Sequence, residues 1–252
     1  MKPISRRKLL TAGFTAAAAA GVVAADRLAL RHGLIPPDCQ GWSGPGETLT
    51  YATQRLLTRH AMAREFSRSS ISKSPLMNEV VPALGEPFKK LQAAGFRDWR
   101  VTVDGMVAHP MTLSIADLRM MPMRNQITEI ACEEGWSYIA EWIGTPLSGV
   151  LREAGVSPRA RYVVYFTPQA EWWESIDMAD AYHPQTLLTL AMNDGDLPVG
   201  FGGPLRLRLP RQLGYKSLKY ITRITLTDSM KHFGMGLGSV SPETGYAWFA
   251  GI

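Results

Sequence analysis

The amino-acid sequence predicts an α+β fold built on a mixed or antiparallel sheet. From Asp98 onward, short apolar or alternating segments typical of strands follow one another closely, with only short helical segments between them. A doubly wound parallel sheet needs a long crossover helix after each strand, and these segments are too short for that. The composition, with 46% hydrophobic and 19% charged residues, is that of an ordinary globular chain.

The first predicted strands lie on either side of a turn. Trp99–Val103 has the pattern of a strand, Asp104-Gly105 that of a turn, and a second strand is expected from Met106. A short helix follows, because Ser114 with Asp117 three residues later forms a capping-box pattern.

The middle of the sequence carries a strand and a helix with clear end signals. Asn125–Ala131 alternates between apolar and polar residues and leads directly into Cys132. Pro146–Ala154 is predicted to be helical, because it has proline at its first turn and Gly155 as its stop.

Three further segments are predicted strands: Arg161–Thr167, Pro204–Leu209 and Ile221–Thr227. Thr186–Met192 is compatible with either a helix or a strand, and the polar residues 193–196 predict a turn after it.

The first 25 residues have the features of a twin-arginine signal peptide. The pair Arg6-Arg7 precedes a mildly apolar, alanine-rich run through Ala25, which predicts export by the twin-arginine translocase to the periplasm. The alternative is an uncleaved membrane anchor, although 17 residues are at the lower limit for a hydrocarbon core of about 30 Å. Because this route carries folded proteins, it suggests a cofactor inserted before export.

The remaining residues divide into a predicted extension, 26–85, and a predicted main domain, 86–252. The extension contains a helical pattern over Tyr51–Phe66 and a loop-like stretch over Ser67–Pro82. Four of the 27 basic residues lie in the first eight positions and no acidic residue precedes Asp26, so residues 26–252 have a net charge of +1. A nucleic-acid-binding domain carries its basic excess on the folded surface, so we expect no nucleic-acid partner.

Cys132 is the first candidate functional residue, because it follows a predicted strand and precedes Gly135-Trp136 in a loop. Two other interpretations stay open. The oxidising periplasm permits a disulfide with Cys39, and Cys132 is also compatible with a buried, unreactive thiol. The five histidines show no metal-binding spacing, and no phosphate-loop or nucleophile-elbow motif is present.

A glycine-rich and basic stretch is the second candidate site. Gly202-Gly203 precedes Arg206, and Lys216, Ser217 and Lys219 follow within a short distance. Such a combination suits a ligand that bears a phosphate, because glycine permits close approach and the basic side chains donate charge-assisted hydrogen bonds. The alternative is a solvated basic hairpin.

Together these segments resemble the molybdopterin-binding domain of the sulfite oxidase family, closest to its exported, stand-alone bacterial members. The resemblance covers roughly residues 48–228. The matching segments are Asp98-Trp99-Arg100, Cys132 with Glu134-Gly135-Trp136-Ser137, Ser175-Ile176-Asp177-Met178, His183-Pro184-Gln185-Thr186-Leu187-Leu188, and Pro204-Leu205-Arg206 to Gly214-Tyr215-Lys216-Ser217-Leu218-Lys219.

The resemblance implies a mixed-sheet α+β domain with a molybdenum–molybdopterin cofactor. Cys132 would ligate the metal, and the cofactor-binding residues would be Thr167, Arg206, Lys216, Ser217, Leu218, Lys219 and Glu65. The sequence departs from the family pattern at Phe201, where Asn or His is common, and at Ala131, where a polar residue often precedes the cysteine.

We expect from the resemblance a reductase of an S-oxide or N-oxide, such as methionine sulfoxide, and a monomer that takes electrons from a membrane cytochrome b-type subunit. The residue pattern adds a charge argument. Residues 132–142 and 167–180, expected to face the metal, contain seven acidic and no basic side chains, which disfavours an anionic substrate such as sulfite. The alternatives are a sulfite-type dehydrogenase of the same family, or a non-catalytic binding module with a Cys39–Cys132 disulfide.

Overall fold

The part of the chain that the structure describes contains ten β-strands. The computed structural model describes residues 34–38, 44–77, 84–168 and 172–252, so the predicted signal peptide and Cys39 lie outside it. The strands are β1 (Arg100–Gly105), β2 (Met111–Ser114), β3 (Arg124–Ala131), β4 (Ser137–Pro146), β5 (Tyr162–Phe166), β6 (Trp173–Asp177), β7 (Leu187–Met192), β8 (Gly195–Asp196), β9 (Arg206–Arg208) and β10 (Arg223–Thr227).

The strands form two sheets of different character. The first has the order β2-β1-β10-β5-β6, in which β1 and β10 are parallel and the other neighbours antiparallel. The second has the order β3-β4-β7-β8, with β9 also paired to β7, and its pairings are antiparallel. The predicted α+β class with mixed sheets is therefore confirmed.

Short helices connect and cover the sheets. They are α1 (Gly44–Thr58), α2 (Gly85–Ala93), α3 (Ile115–Met120), α4 (Leu147–Ala154), α5 (Met178–Ala181) and α6 (Val240–Glu243). The described residues contain no helix with the length and apolar character needed to cross a membrane.

The predicted helix ends are confirmed. At the start of α3, Ser114 Oγ accepts the Asp117 N–H at 3.1 Å while Asp117 accepts the Ser114 N–H at 2.8 Å, which is a complete capping box. Pro146 is the N-cap of α4, and Gly155 ends it in the left-handed conformation with φ 65°.

The main core contains residues of both sheets, and β5 is buried on both of its faces. Val163 and Tyr165 face the main core with α4, whereas Tyr162 and Val164 face an aromatic cluster on the opposite side with Trp248. Because successive side chains of a strand point to opposite faces, this five-residue strand contributes to both cores.

Several predicted boundaries change in the structure. The second strand begins at Met111 rather than Met106, because Met106 and Val107 pair with the loop after α4, where Val107 bridges Val156. The ambiguous segment over Thr186–Met192 is the strand β7.

The N-terminal extension is partly helical and is anchored by buried ion pairs. The helix is Gly44–Thr58, whereas the prediction placed it over Tyr51–Phe66. Arg55 of α1 lies 2.6 Å from Asp177 and 2.5 Å from Asp180, measured between side-chain nitrogen and carboxylate oxygen. Tyr51 also donates to Asp177 at 2.6 Å. These contacts attach α1 to the end of β6.

Candidate active site

A cavity of about 290 Å³ is lined by residues of both sheets and of the segments that follow β9 and β10. Its lining includes Cys132 with Glu133 and Glu134, and also Arg206, Ser217 and Lys219. The volume lies near the lower end of the range for pockets that hold drug-sized ligands.

Cys132 occupies the first position after β3 in a tight hairpin to β4. Its N–H donates to the Trp136 carbonyl at 2.9 Å, and Gly135 permits the bend with φ 88°. The thiol is 8% exposed and free. Cys132 is thus a free thiol in the part of the chain that the structure describes, and Cys39 lies outside that part, so the interpretation of the chain as a binding module with a Cys39–Cys132 disulfide is not supported.

The surroundings of Cys132 keep its sulfur protonated when no cation is present. Burial raises the pKa of the thiol to about 12, and the neighbouring carboxylates Glu133 and Glu134 add to this. Its Sγ donates to Glu133 Oε2 at 3.2 Å. A coordinated metal ion would remove this proton outright, so the site favours a thiolate only together with a cation.

Arg206 and Lys219 bring positive charge to the same cavity. The Arg206 guanidinium donates to the carbonyls of Phe201 at 2.7 Å and Ser217 at 2.5 Å, while its buried Nε has no hydrogen-bond partner in the described residues. Lys219 donates to the Gly200 carbonyl at 2.7 Å. Burial, together with Arg206, lowers the pKa of Lys219 to about 8.

Arg208 lies behind this pair and completes a cationic cluster of Arg206, Arg208 and Lys219. Arg208 is fully buried and donates to the Glu129 carbonyl at 2.5 Å and to the Thr128 hydroxyl at 3.2 Å, and no described residue accepts a hydrogen bond from its buried Nε. The Arg206 and Arg208 guanidinium carbons lie 5.4 and 5.3 Å from the ring centre of Trp142. The solvated-hairpin alternative is therefore wrong for this segment.

The residues present suit a molybdenum–dithiolene cofactor with a phosphate. The cavity lining combines a thiol that needs a cation with basic side chains, and within the described residues the side-chain hydrogen bonds of Arg206 and Arg208 go to neutral carbonyls and hydroxyls. Buried charge is costly unless it is paired, so a bound anion would balance these two guanidinium groups.

Six of the eight predicted site residues come together at this cavity: Cys132, Thr167, Arg206, Ser217, Leu218 and Lys219. Thr167 follows β5 directly and is 5% exposed. Ser217 is 2% exposed and its hydroxyl accepts the Leu209 N–H at 3.1 Å. Phe201, a departure from the family pattern, also lines the cavity and packs against Tyr138 at 5.8 Å between ring centres.

Lys216 and Glu65 are not brought to the cavity. Lys216 is fully buried and does not line the cavity, and its Nζ donates to Glu174 Oε2 at 2.7 Å. Glu65 bridges Thr128 at the edge of β3 and accepts a hydrogen bond from Gln185 at 3.0 Å. In the structure these two side chains have partners within the fold.

The charge around the cavity also differs from the sequence-based expectation. Residues 132–142 are mostly strand β4, and Glu141 points to Arg68 at 2.5 Å. Asp177 and Asp180 pair with Arg55, and Glu171 lies outside the described residues. The cavity lining combines three acidic residues, Glu133, Glu134 and Glu174, with the basic Arg206 and Lys219. The argument from seven acids and no bases is therefore wrong.

Sequence reasoning missed part of the lining. Leu76, from the extension, and four residues of the C-terminal segment also face the cavity: Val240, Ser241, Thr244 and Tyr246. They belong to no motif, and only the folded chain brings them to the site.

Comparisons with known proteins agree with this arrangement. The family described as "Oxidoreductase molybdopterin binding domain" matches residues 88–233. The putative protein-methionine-sulfoxide reductase subunit YedZ1 of Azospira oryzae is 38% identical over 163 residues, which are 65% of this chain and 58% of that protein. The protein-methionine-sulfoxide reductase catalytic subunit MsrP of Ralstonia nicotianae is 34% identical over 145 residues, 52% of this chain and 44% of that protein.

The matched region thus spans about half the length of these curated relatives. Among solved structures, the sulfane dehydrogenase SoxCD from Paracoccus pantotrophus is similar in fold, with a TM-score of 0.51 and 20% identity over 68% of this chain and 46% of that one. The chain belongs to the oxidoreductase molybdopterin-binding domain family, that of the sulfite oxidases.

Proposed function

We propose that this protein is a molybdenum–molybdopterin oxidoreductase that reduces an S-oxide or N-oxide, with methionine sulfoxide as the leading candidate. The observation that carries the proposal is the meeting of Cys132 with Arg206, Ser217 and Lys219, from separate segments, at one cavity. The names of the two curated relatives, both protein-methionine-sulfoxide reductase subunits, support the choice of substrate class.

Each cavity residue has a role in this proposal. Cys132 ligates the metal, and Arg206, Lys219 and the Ser217 hydroxyl hold the phosphate through charge-assisted hydrogen bonds. Thr167 and Leu218 line the walls of the cofactor site. When bound, the cofactor supplies two-electron oxygen-atom transfer, and the protein supplies its position and its charge balance.

The overall reaction consumes two electrons and two protons for each S-oxide and yields a thioether and water. The two curated relatives are named as subunits of protein-methionine-sulfoxide reductases, which supports a separate subunit as the source of the electrons. We infer a membrane cytochrome b-type subunit as this partner and a monomeric catalytic chain.

The proposed location is the periplasm, reached by twin-arginine export. It depends on Arg6-Arg7 in residues 1–25, followed by the extension 26–85 and the catalytic domain 86–252. Replacing both arginines with lysine should keep the protein in the cytoplasm, because the translocase reads the pair as an address. Unimpaired accumulation in the periplasm would contradict this assignment.

The function is tested on protein purified after native export. We expect stoichiometric molybdenum and pterin, and turnover of sulfoxides with a reduced viologen dye. Efficient sulfite oxidation with ferricyanide, without sulfoxide reduction, would instead identify a sulfite-type dehydrogenase.

Metal ligation is tested by Cys132→Ala, with Cys39→Ala as the matched control. We expect the first variant to fold but to lose the thiolate-ligated Mo(V) resonance and all measurable activity, whereas the control keeps both. An unchanged resonance in Cys132→Ala would overturn the assignment of the ligand.

A further inference from the structure

We propose that residues 239–246, after β10, form a substrate-recognition wall, and that Tyr246 is a specificity-determining residue for S-oxides that carry an apolar group. This inference rests on the proposed function and names the substrate class that the site prefers. It also assigns a role to Lys216 that differs from cofactor binding.

The wall lies outside the part of the chain that matches the family. That match ends at residue 233, whereas Val240, Ser241, Thr244 and Tyr246 line the cavity. Residues outside the shared domain are well placed to set a preference particular to this protein, because the shared residues serve the common cofactor.

A buried ion pair fixes this wall to the first sheet. Glu174 of β6 accepts the Lys216 Nζ at 2.7 Å with one carboxylate oxygen and the Ser241 N–H at 3.3 Å with the other, which also accepts the Ser241 hydroxyl. Lys216 Nζ donates further to Ser239 Oγ at 3.1 Å. Both charged side chains are almost fully buried, at 0% and 3% exposure.

The attraction within a buried ion pair offsets the free-energy cost of desolvating the two charges only when their remaining hydrogen bonds are also made, as they are here. Since two of its partners, Ser239 and Ser241, belong to the wall, removing the Lys216 charge would release the wall rather than the cofactor. Lys216 is therefore a positioning residue.

A second set of contacts holds the wall beyond Tyr246. The Tyr215 hydroxyl donates to the Ala247 carbonyl at 2.6 Å, and Trp248 Nε1 donates to Ser175 Oγ at 2.8 Å. The backbone is thus fixed on both sides of Tyr246, whose own side chain is 48% exposed at the cavity and packs on Tyr215 at 5.5 Å between ring centres. A rigid backbone with an exposed ring is suited to contact with a ligand.

The ring chemistry indicates the preferred substrate. Tyr246 and Tyr215 present aromatic surface to the cavity, and Trp136 and Trp172 line it as well. Aromatic rings gain from contact with apolar, sulfur-bearing or aryl groups. A small polar sulfoxide such as dimethyl sulfoxide offers little surface for this contact. The wall therefore favours sulfoxides with an apolar or aryl group over small polar ones.

The test compares two sulfoxides with holoenzyme. For Tyr246→Ala we expect kcat/KM for methyl p-tolyl sulfoxide to fall about tenfold, the effect of losing one apolar contact, while that for dimethyl sulfoxide changes less than about twofold. Tyr246→Phe should keep the preference. Tyr182→Ala, which removes a 40% exposed tyrosine away from the cavity, is the matched control.

A measurement without turnover separates this inference from the proposed function. Calorimetry with methyl p-tolyl sulfone, which carries the same apolar group, should show weaker binding to Tyr246→Ala than to the wild type. Equal loss for both sulfoxides, or an unchanged ratio and unchanged sulfone binding, overturns the inference while leaving the function intact. A molybdenum-loaded wild type that reduces no sulfoxide overturns the function instead.

Lys216→Met tests the positioning role, with the exposed Lys231→Met as control. We expect molybdenum and pterin content to be unchanged and the preference for the aryl sulfoxide to fall as it does in Tyr246→Ala. Loss of pterin would mean that Lys216 binds the cofactor instead. A preserved preference for the aryl sulfoxide together with lower thermal stability would mean that its role is structural only.

Discussion

Two buried charged clusters of this protein differ in how their charge is balanced. A paired cluster at the base of α1 combines Arg55 and Arg211 with Asp177 and Asp180, so that two positive charges meet two negative ones. In the cationic cluster of Arg206, Arg208 and Lys219, the side-chain hydrogen bonds of the two arginines go to carbonyls and hydroxyls, so no carboxylate of the described residues pairs with either guanidinium.

The difference explains what each cluster does. Within the paired cluster, burial raises the pKa of Asp180, but the ion pairs with Arg55 and Arg211 lower it more, so the carboxylate stays charged and joins helix to sheet. Within the cationic cluster, burial lowers the pKa of each member, and that of Arg208 falls to about 9. Internal neutrality suits a structural role, whereas the two buried guanidinium groups of Arg206 and Arg208, whose partners among the described residues are neutral, suit the proposed binding of an anionic cofactor group.

The strongest test of the paired cluster is Asp180→Ala. Its removal takes the carboxylate partner of the buried Arg211 and one of the two carboxylates that pair with Arg55, so we expect the free energy of unfolding to fall by about 3–5 kcal/mol. Chemical denaturation of the holoenzyme measures this, with the exposed Asp194→Ala as control. A loss no larger than that of the control would mean that the cluster does not anchor α1.

The contrasting test of the cationic cluster is Arg206→Met. Cofactor affinity should fall by about 2–5 kcal/mol, because a charge-assisted partner of the phosphate is lost. Stability of the cofactor-free protein should change by less than about 2 kcal/mol, since the removal of a buried charge offsets two lost hydrogen bonds. Pterin content and denaturation curves measure the two effects.

The matched control for that variant is the exposed Arg159→Met. Full pterin occupancy in Arg206→Met would contradict the proposal that the charge of Arg206 helps to bind the cofactor. A large loss of stability in the cofactor-free protein would show that the two clusters play the same role.

Local signals explain which parts of the fold the sequence could predict. The α3 capping box and the position of Cys132 after β3 depend on neighbours within a few residues, and both were predicted correctly in place. The predicted start of the second strand was wrong because Met106 pairs with residues near Val156, about 50 residues later in the chain.

The prediction of the charge around the site was wrong for the same reason. Glu141, Asp177 and Asp180 looked available in sequence, yet their partners Arg68 and Arg55 lie more than 70 residues away. Whether a buried charge is balanced is a property of the folded chain, so the two clusters could not be told apart before the structure.

The smallest expected effect is a pH dependence that separates Lys219 from an ordinary lysine. Its pKa of about 8 in the cofactor-free protein, lowered by burial and by Arg206, means that the ammonium loses its proton as the pH rises through that value. A bound phosphate favours the protonated form and raises this pKa again. Cofactor affinity should therefore be constant below pH 8 and fall by up to about tenfold per pH unit above it.

The Lys219→Arg variant keeps its positive charge over this pH range and should remove the dependence. The measurement filters each protein at pH 7 to 9 and quantifies the pterin in the filtrate by its fluorescence. Equal pH profiles for the two proteins would mean that Lys219 does not contribute its charge to the bound cofactor.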